Sequence, residues 1–309
     1  PTAVIVGIDE AGYGPLLGPL VVSAVAFDVP APILKALPEP AAGPDLWHLL
    51  RASLAPKPAK RDPRLAVADS KKLHGKAGDG PKAARLLERA ALTFLSIAGP
   101  PPATLRALIQ RLCPAALDPM AEHPWYHDLD IPIPVAADAA DIRIQHNALA
   151  ADLAAAGVRF RGVWVELLPE RLFNERVNAT RNKAVVLFGL TTRLIQRVAD
   201  AVGPRSLRVW IDRQGGRTGY RRPLMRAFPD VQLEILEENE HRSGYRLAHA
   251  DAAWAVRFVT SGESHHLPVA LASIFSKYLR ELLMLPFNRY WASLVPGLRP
   301  TAGYYTDGK

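Results

Sequence analysis

The chain has 309 residues, a formal net charge of +8 and a single cysteine, Cys113. One cysteine excludes an intramolecular disulfide framework and a cysteine-based zinc site, and it favours a reducing, cytoplasmic compartment. No run of about 18 apolar residues is present, which excludes a transmembrane helix, and no basic region precedes the first apolar run, so we expect no signal peptide. The basic charge balance favours a polyanionic partner, first a nucleic acid and second a membrane surface.

Two apolar, β-branched runs open the chain at residues 3–8 and 19–27. The stretch GIDEAGYGPLLG at residues 7–18 joins them and supplies glycine and proline for a turn. Apolar runs separated by turn residues predict two strands, which we expect to pair antiparallel. The first predicted strand ends at two adjacent carboxylates, Asp9 and Glu10.

The next part of the chain is rich in proline and alanine. We expect a short helix at 44–54 and a longer amphipathic helix at 82–95, which the prolines at 100–102 end. Both helices precede a second region of the same composition.

Residues 97–157 are rich in Pro, Ala and Asp, and short helices are predicted at 103–112 and 146–156. The sequence DIPIPV at 130–135 cannot form a central strand, because proline donates no ladder hydrogen bond. We interpret 97–157 as an insertion on the main domain or a cap over a cleft. The main domain then consists of residues 1–96 and 158–309.

Regular patterns return in the last half of the chain. Strands are predicted at 158–168, 206–212, 231–238 and 253–263, and helices at 184–201, 221–228 and 267–294. Strands mixed with amphipathic helices indicate a layered α/β domain.

Three of the predicted strands end in acidic residues: Asp9 with Glu10, then Asp212, then Glu263. Carboxylates that meet at one edge of a sheet repel each other, and a hard divalent cation such as Mg²⁺ or Mn²⁺ relieves the repulsion. Helix N-caps or solvated turns are the alternative interpretation for each of them. A phosphate-binding glycine loop is a further alternative, but Gly12, Gly14 and Gly18 do not fit the spacing G-x-G-x-x-G.

Several of these stretches together resemble the motifs of ribonuclease HII. GIDEAGYGPLLGPLVV is similar to the first motif of that family, DSKKL at 69–73 to the second, and ASIFSKYLRE at 272–281 to a later helical motif. WID at 210–212 and GES at 262–264 stand where the family has its third and fourth acidic residues. VNATRN at 177–182 and GYYT at 303–306 show a weaker resemblance. The similarity spans roughly 3–96, 158–212 and 250–306, so 97–157 and 214–250 are extra or expanded.

The resemblance implies a ribonuclease H-like fold, with a central mixed β-sheet flanked by helices. It also implies hydrolysis of RNA in RNA/DNA hybrids or ribonucleotide-containing DNA duplexes, with two Mg²⁺ or Mn²⁺ ions per site. Carried over by position, the catalytic and metal-binding residues are Asp9, Glu10, Asp212 and Glu263. The implied nucleic-acid contacts are Gly12, Tyr13, Gly14, Ser70, Lys71, Lys72, Lys277 and Tyr304, to which we add Arg213 from the basic segment that follows Asp212.

Three positions depart from the family pattern. Tyr13 stands in place of an arginine, so a neutral side chain replaces one that contacts phosphate. Glu263 replaces an aspartate and is one methylene longer, while Tyr305 replaces the proline of G-Y-P-T. Two alternative functions follow: a nucleic-acid-binding protein that keeps the fold with weakened turnover, and the same chemistry on another structured nucleic acid.

Four further groups have both a functional and a structural interpretation. The arginines at 213, 217, 221, 222 and 226 are interpreted either as contacts to the backbone of a duplex or as an ordinary basic surface. His265 and His266 are either proton shuttles or turn residues, and Trp125 and Tyr126 either stack on a base or form a local core. A metal cluster or, as we prefer, a solvated acidic hairpin fits Glu237, Glu238, Glu240 and His241.

Overall fold

The computed structural model describes residues 2–35, 43–75, 80–249 and 252–305. The β-strands in this part of the chain are β1 (Thr2–Ala11), β2 (Leu20–Pro30), β3 (Leu54–Ala55), β4 (Leu65–Ala66), β5 (Arg159–Leu168), β6 (Leu207–Asp212), β7 (Gln232–Glu238), β8 (Arg242–His249) and β9 (Ala252–Val259). Its α-helices are α1 (Ala31–Lys35), α2 (Leu46–Leu49), α3 (Ser70–Leu73), α4 (Arg85–Ile97), α5 (Leu105–Leu112), α6 (Leu117–Ala121), α7 (Ala139–Ala156), α8 (Glu170–Thr180), α9 (Lys183–Val202), α10 (Arg221–Ala227), α11 (Gly262–His265) and α12 (Leu267–Leu294). Short 3₁₀ segments occur at Gly80–Ala84, Pro114–Ala116 and Pro124–Tyr126.

Seven of the strands form one mixed sheet in the order β5-β2-β1-β6-β9-β8-β7, and β3 pairs with β4 apart from it. β2 is antiparallel to both β1 and β5, while β6 is parallel to both β1 and β9. Numbered along the chain, the strands β1, β2, β5, β6 and β9 therefore lie in the order 3-2-1-4-5. That order and those directions define the ribonuclease H-like fold, which confirms the predicted fold class. The β7–β8 hairpin extends this sheet beyond β9.

Helices cover the sheet on both faces. On one face, α12 crosses β1 and β2 and packs together with α4 against side chains such as Ile5, Val25 and Phe27. On the other face, α9 buries Leu190 and Leu194 against the alternate side chains of the same strands. Because successive strand residues point to opposite faces, the continuous apolar sequence of β2 is explained by burial on both sides.

Gly7 lets α12 lie unusually close to β1. A Cβ atom at this position would be 2.1 Å from the carbonyl carbon of Pro268, in the first turn of α12. The contact is with main chain on both sides, so a larger residue would push the helix away from the strand.

Residues 97–157 pack on the same face as α4 and α12. Their buried side chains, among them Leu108, Tyr126 and Leu149, belong to one apolar cluster with those helices. The helix predicted at 146–156 begins earlier, at Ala139, because Asp138 caps it by accepting a 2.7 Å hydrogen bond from the amide of Ala140. The assignment of 97–157 as an insertion or cap stays a prediction.

The side chain of Glu88 on α4 connects residues 135–137 to the helices α4 and α12. It accepts hydrogen bonds of 2.7 Å from the amides of Val135, Ala136 and Ala137, and one of 2.9 Å from the hydroxyl of Tyr278 on α12. Glu88 is 1% exposed, and its four donors satisfy a buried carboxyl group and join residues 135–137 to α4 and α12.

Two local expectations were wrong, and a third element was not predicted. Glu263 does not end a strand: β9 stops at Val259, and Ser261 turns the chain at a positive φ of 54° into α11, which contains Glu263. Lys71 and Lys72 lie in the unpredicted short helix α3, which Asp69 caps by accepting a hydrogen bond from the amide of Lys71. The predicted helix at 44–54 is only the four residues of α2. In the described segments, no helix has the length and apolar character needed to cross a membrane.

Candidate active site

Parallel strand ends bring the acidic residues to one edge of the sheet. In the parallel pairing of β1 with β6, Ile8 lies opposite Ile211. Asp9 and Asp212 are the next residues on the two strands. β9 runs parallel to β6, and α11 after it carries Glu263 to the same edge. Glu10 follows Asp9 and is half-buried. The structure thus brings together the four acidic residues that the sequence predicts.

Two serines of α12 hold the end of β1. The hydroxyl of Ser276 donates a 3.0 Å hydrogen bond to the main-chain carbonyl of Asp9, and it lies 2.8 Å from the hydroxyl of Ser23 on β2. Ser273, one turn earlier, donates a 3.0 Å hydrogen bond to the hydroxyl of Ser70, and its hydroxyl lowers the pKa of the Asp9 carboxyl group. These contacts fix Asp9 against the helix that packs on its strand.

Asp212 is tied to the loop that carries Glu263. Its Oδ1 atom accepts a 2.8 Å hydrogen bond from the amide of Gly262. The carboxyl group of Glu263 is close enough to Asp212 to raise the pKa of Asp212. The loop after β9 therefore controls where both acids lie.

Burial and mutual repulsion raise the pKa values of these acids. Burial is the main cause for Asp9, followed by the charge of Asp212, and together they raise its pKa to about 8. Burial and then the charge of Glu263 raise the pKa of Asp212 to about 7. The pKa of Glu10 is also raised well above its usual value, by burial and by the charges of Asp9 and Asp212. Each shift shows that the site accumulates more negative charge than its protein surroundings stabilise.

The donor set fits a divalent cation. It consists of carboxylate oxygens, which hard cations prefer, and Glu263 Oε2 is a buried atom without a hydrogen-bond partner among the described residues. The nearest opposing charge is that of Lys71, which lowers the pKa of Glu10 and of Asp212 only in part. Within the described residues, no three acidic, histidine or cysteine side chains are already arranged as ligands of one ion.

The glycine loop after β1 packs against the C-terminal segment. Gly12 has a φ of 99°, and a Cβ there would be 2.2 Å from the carbonyl oxygen of Pro19, so only glycine fits. The carbonyl of Gly303 accepts hydrogen bonds of 2.8 and 3.2 Å from the amides of Leu16 and Leu17. The two motifs that the sequence places at opposite ends of the chain are therefore neighbours.

Tyr13 and Gly14 differ in exposure. The Tyr13 side chain is half-buried and packs against the apolar cluster beneath α9. Gly14 is exposed, and a Cβ there would meet no atom within 4 Å. The backbone at Gly14 is therefore open to a ligand, whereas Tyr13 adds to the core.

Tyr304, next to Gly303, lies beside two cations of α12. Its ring centroid is 5.1 Å from Lys277 Nζ and 5.6 Å from the guanidinium carbon of Arg280. Lys277 also forms a 2.7 Å ion pair with Glu281. Since Lys277 is 8% exposed, a phosphate contact would require it to leave this pair, and the contact stays a prediction.

The second motif supplies one buried group and two exposed groups. Ser70 is buried and bonds to Ser273, so its side chain supports the site from below. Lys71 and Lys72 are exposed, and Lys71 is close enough to Glu10 and Asp212 to affect their pKa values.

Arg213 has partners within the protein. Its guanidinium donates to the main-chain carbonyls of Asn239, at 3.1 Å, and Glu240, at the tip of the β7–β8 hairpin. Its predicted contact with nucleic acid would compete with these bonds and stays a prediction.

Aromatic residues of two other candidate groups pack against rings within the protein. His266 stacks on Trp210 with ring centroids 5.0 Å apart, and burial lowers its pKa to about 4, so it is neutral at pH 7. Trp125 packs against Phe287 and Trp291, and Tyr126 is 2% exposed. The local-core interpretation therefore describes both aromatic residues as they lie in the structure.

Sequence reasoning missed the supporting residues Ser273, Ser276 and Gly262. Their signals were present: both serines belong to ASIFSKYLRE, and Gly262 directly precedes Glu263. They were overlooked because buried serines in a helix carry no charge that marks them as part of a site.

Comparison with known proteins supports the motif resemblance. A 62-residue stretch of the chain is 44% identical to ribonuclease HII of Xylella fastidiosa strain M12, and the same values hold for strains M23 and Temecula1. The chain is similar to ribonuclease HII. The predicted resemblance to that family is therefore confirmed for this stretch, which is 18% of this chain and spans only 26% of each relative's length. No family model matches the chain.

Solved structures of related enzymes show a weak overall likeness. Bst-RNase HIII in complex with Mn²⁺ has 16% identity and a TM-score of 0.42, covering 93% of this chain and 55% of that one. Ribonuclease H2 from Pyrococcus horikoshii OT3 has 12% identity and a TM-score of 0.38, covering 98% and 82%. RNase HII in its PCNA complex from Archaeoglobus fulgidus has 15% identity and a TM-score of 0.39, covering 98% and 83%. Because these scores are low, the fold assignment is based on strand order and direction.

Proposed function

We propose that the protein is a metal-dependent endoribonuclease of the ribonuclease HII type, which hydrolyses the RNA strand of RNA/DNA hybrids. The observation that carries the proposal is the meeting of Asp9, Glu10, Asp212 and Glu263 at one sheet edge, where burial and mutual repulsion raise the pKa values of the first three. The similarity to ribonuclease HII supports the class of substrate. Ribonucleotide-containing DNA duplexes are included in the proposal.

The electrostatics of the site support a role for divalent cations. Four acidic side chains brought together at a partly buried edge destabilise the folded state unless a positive charge joins them. We propose that these four residues hold two Mg²⁺ or Mn²⁺ ions. Such a pair supplies an activated water and a stabilised leaving oxygen in phosphodiester hydrolysis.

The chain's own residues would orient the substrate around the acids. Lys71, exposed beside Glu10 and Asp212, is placed to contact a backbone phosphate. The open backbone at Gly14 can approach a ribose hydroxyl, because no side chain separates it from solvent. Tyr304, held near Lys277, is placed to contact the sugar-phosphate chain on the other side of the glycine loop. Ser273 and Ser276 position Asp9 from within the protein.

The test is cleavage of an end-labelled RNA/DNA hybrid by the purified protein with Mg²⁺ or Mn²⁺. We expect cleavage in the RNA strand, and at least a 100-fold lower rate for Asp9→Asn at equal folded concentration, taking about 10²-fold as the loss expected for one catalytic contact. Absence of cleavage with both metals would refute the proposal, as would an unchanged rate in the variant.

Two observations favour a second candidate, a nucleic-acid-binding protein with weakened turnover. In the described residues the acids are not prearranged as ligands of one ion, and Tyr13 is neutral and half-buried. This candidate predicts salt-dependent binding of the hybrid without product. A panel of hybrid, embedded-ribonucleotide duplex, double-stranded RNA and double-stranded DNA separates it from nuclease activity on another nucleic acid.

A further inference from the structure

The helix α10 carries three exposed arginines on one side. Arg221, Arg222 and Arg226 are exposed, whereas Leu224 is buried against the core beneath α9. Residues 222 and 226 are one helical turn apart, so their side chains project from the same face. The solvent side of this helix is therefore strongly positive.

Arg221 and Arg222 lie in the first turn of the helix and do not help it to fold, whereas Arg226 lies in the last turn. Like charges at positions i and i+4 repel, and cations in the first turn interact unfavourably with the helix dipole. Among the described residues, none of the three has a carboxylate partner. The acids of the adjoining hairpin are engaged elsewhere: Glu234 pairs with Arg246, and Glu237 with Arg242.

The segment that leads into α10 is held rigidly. The side-chain amide of Gln214 donates to the hydroxyl of Thr191 at 2.5 Å, and the amide of Tyr220 donates to the hydroxyl of Tyr245 at 2.7 Å. The Tyr220 ring stacks on Phe258, with centroids 3.5 Å apart. Side chains on a helix that is fixed by such contacts lose less conformational entropy on binding than side chains on a flexible loop.

The same contacts place α10 beside the acidic residues. The hydroxyl of Tyr220 accepts a 3.3 Å hydrogen bond from the amide of Gln214, which is two residues after Asp212. The side chain of Tyr220, the residue before α10, therefore connects the start of this helix to the chain just after β6, which ends at Asp212. Its seven residues span about 10 Å, which matches about three phosphates along one strand of a duplex.

We propose that Arg221, Arg222 and Arg226 form a second contact surface for the phosphate backbone, next to the catalytic edge. This inference rests on the proposed function and specifies how a duplex is held. The contacts would be independent of sequence, because they involve phosphates and no base edges. They would also compensate for the positive charge that Tyr13 does not provide.

The test compares two triple variants with the same change in net charge. Arg221→Ala/Arg222→Ala/Arg226→Ala removes the surface, and Lys57→Ala/Lys60→Ala/Arg61→Ala removes three exposed cations that flank strands packed on the opposite face of the sheet. Binding of long and short RNA/DNA hybrids is measured over a range of salt concentrations, in the Asp9→Asn background to prevent cleavage. The slope of log affinity against log salt should become shallower by about 0.9 for each phosphate that the variant no longer binds.

We expect the α10 variant to bind the long hybrid at least tenfold more weakly, with a smaller effect on a hybrid too short to reach α10. The control variant should change both affinities little. Equal effects in the two variants would overturn the proposal, as would unchanged hybrid binding together with weaker binding to anionic phospholipid vesicles. Binding that depends on α10 in a protein that cleaves nothing would leave this inference standing while the proposed function failed.

Discussion

The hydroxyl of Ser276 donates a 3.0 Å hydrogen bond to the main-chain carbonyl of Asp9. This contact joins the middle of the longest helix to the end of the central strand. The position of the first acidic residue is therefore set by the packing of α12 as well as by the strand itself.

Replacing Ser276 with alanine tests this relationship. The change removes the side-chain donor to the main-chain carbonyl of Asp9 and the hydrogen-bond partner of the Ser23 hydroxyl, both of which are buried. The loss costs about 1–3 kcal/mol in the free energy of unfolding. We expect lower hybrid cleavage as well as a lower melting temperature. Ser293→Ala is the matched control, because that exposed serine bonds only to the carbonyl of Tyr290 in its own helix turn. Similar behaviour of the two variants would contradict the positioning role of Ser276.

The raised pKa values predict how stability depends on pH without metal. Folding raises the pKa of Asp9 from 3.8 to about 8, so the folded state binds more protons than the unfolded state between those values. The free energy of unfolding should therefore fall as pH rises through this window. Thermal unfolding in a chelator should show a stabilising effect of Asp9→Asn that is small near pH 4 and largest above pH 8.

Added Mg²⁺ or Mn²⁺ should reverse that trend. Cations bind the ionised carboxylates of the folded state, so the gain in melting temperature should increase with pH and should be reduced in Asp9→Asn. A gain independent of pH and equal in both proteins would argue that the ions bind elsewhere.

Gly7→Ala should destabilise the protein strongly. Its Cβ atom would lie 2.1 Å from a main-chain atom of Pro268, so α12 or β1 has to shift, and overpacking of this kind typically costs about 1–3 kcal/mol or more. Gly189→Ala is the control, since nothing lies within 4 Å of its Cβ and alanine favours a helix by about 1 kcal/mol. Chemical denaturation should show opposite signs for the two changes; a stability loss in Gly189→Ala equal to that in Gly7→Ala would refute the close-approach argument.

Tyr13→Arg should increase affinity for nucleic acid. The guanidinium cannot stay within the apolar cluster that Tyr13 joins, so it should turn towards solvent at the glycine loop. We expect tighter hybrid binding with a salt slope steeper by about 0.9, as for one added phosphate contact. Tyr13→Phe, which stays neutral, should leave the slope unchanged. An unaltered slope in the arginine variant would show that position 13 does not face the substrate.

The sequence predicted the central features of the fold because they follow from local patterns. Apolar runs ending in Asp9 and Asp212 indicated strand ends that meet at one edge of a sheet, and the helix at 267–294 was predicted with its observed bounds. The location of Glu263 was not predictable in this way, since it depends on the positive φ of Ser261. The strand β8 was missed because arginine, serine and glycine interrupt its alternation at 242–244.

Contacts distant in sequence account for the rest. Arg213 bonds to the tip of the β7–β8 hairpin, and Gly303 bonds to Leu16. Both contacts follow from how distant elements pack, and no short sequence pattern indicates them. For the site, sequence reasoning supplied the charged residues, and the structure added the neutral ones that hold them.

The four donors around Glu88 restrict how this protein can vary. Three of them are amides of residues 135–137, and the fourth is the hydroxyl of Tyr278. Replacing Glu88 with alanine would leave these four buried donors without their acceptor, at a cost of about 1–3 kcal/mol for each group that water does not reach. The glutamate and the segment that it binds therefore depend on each other.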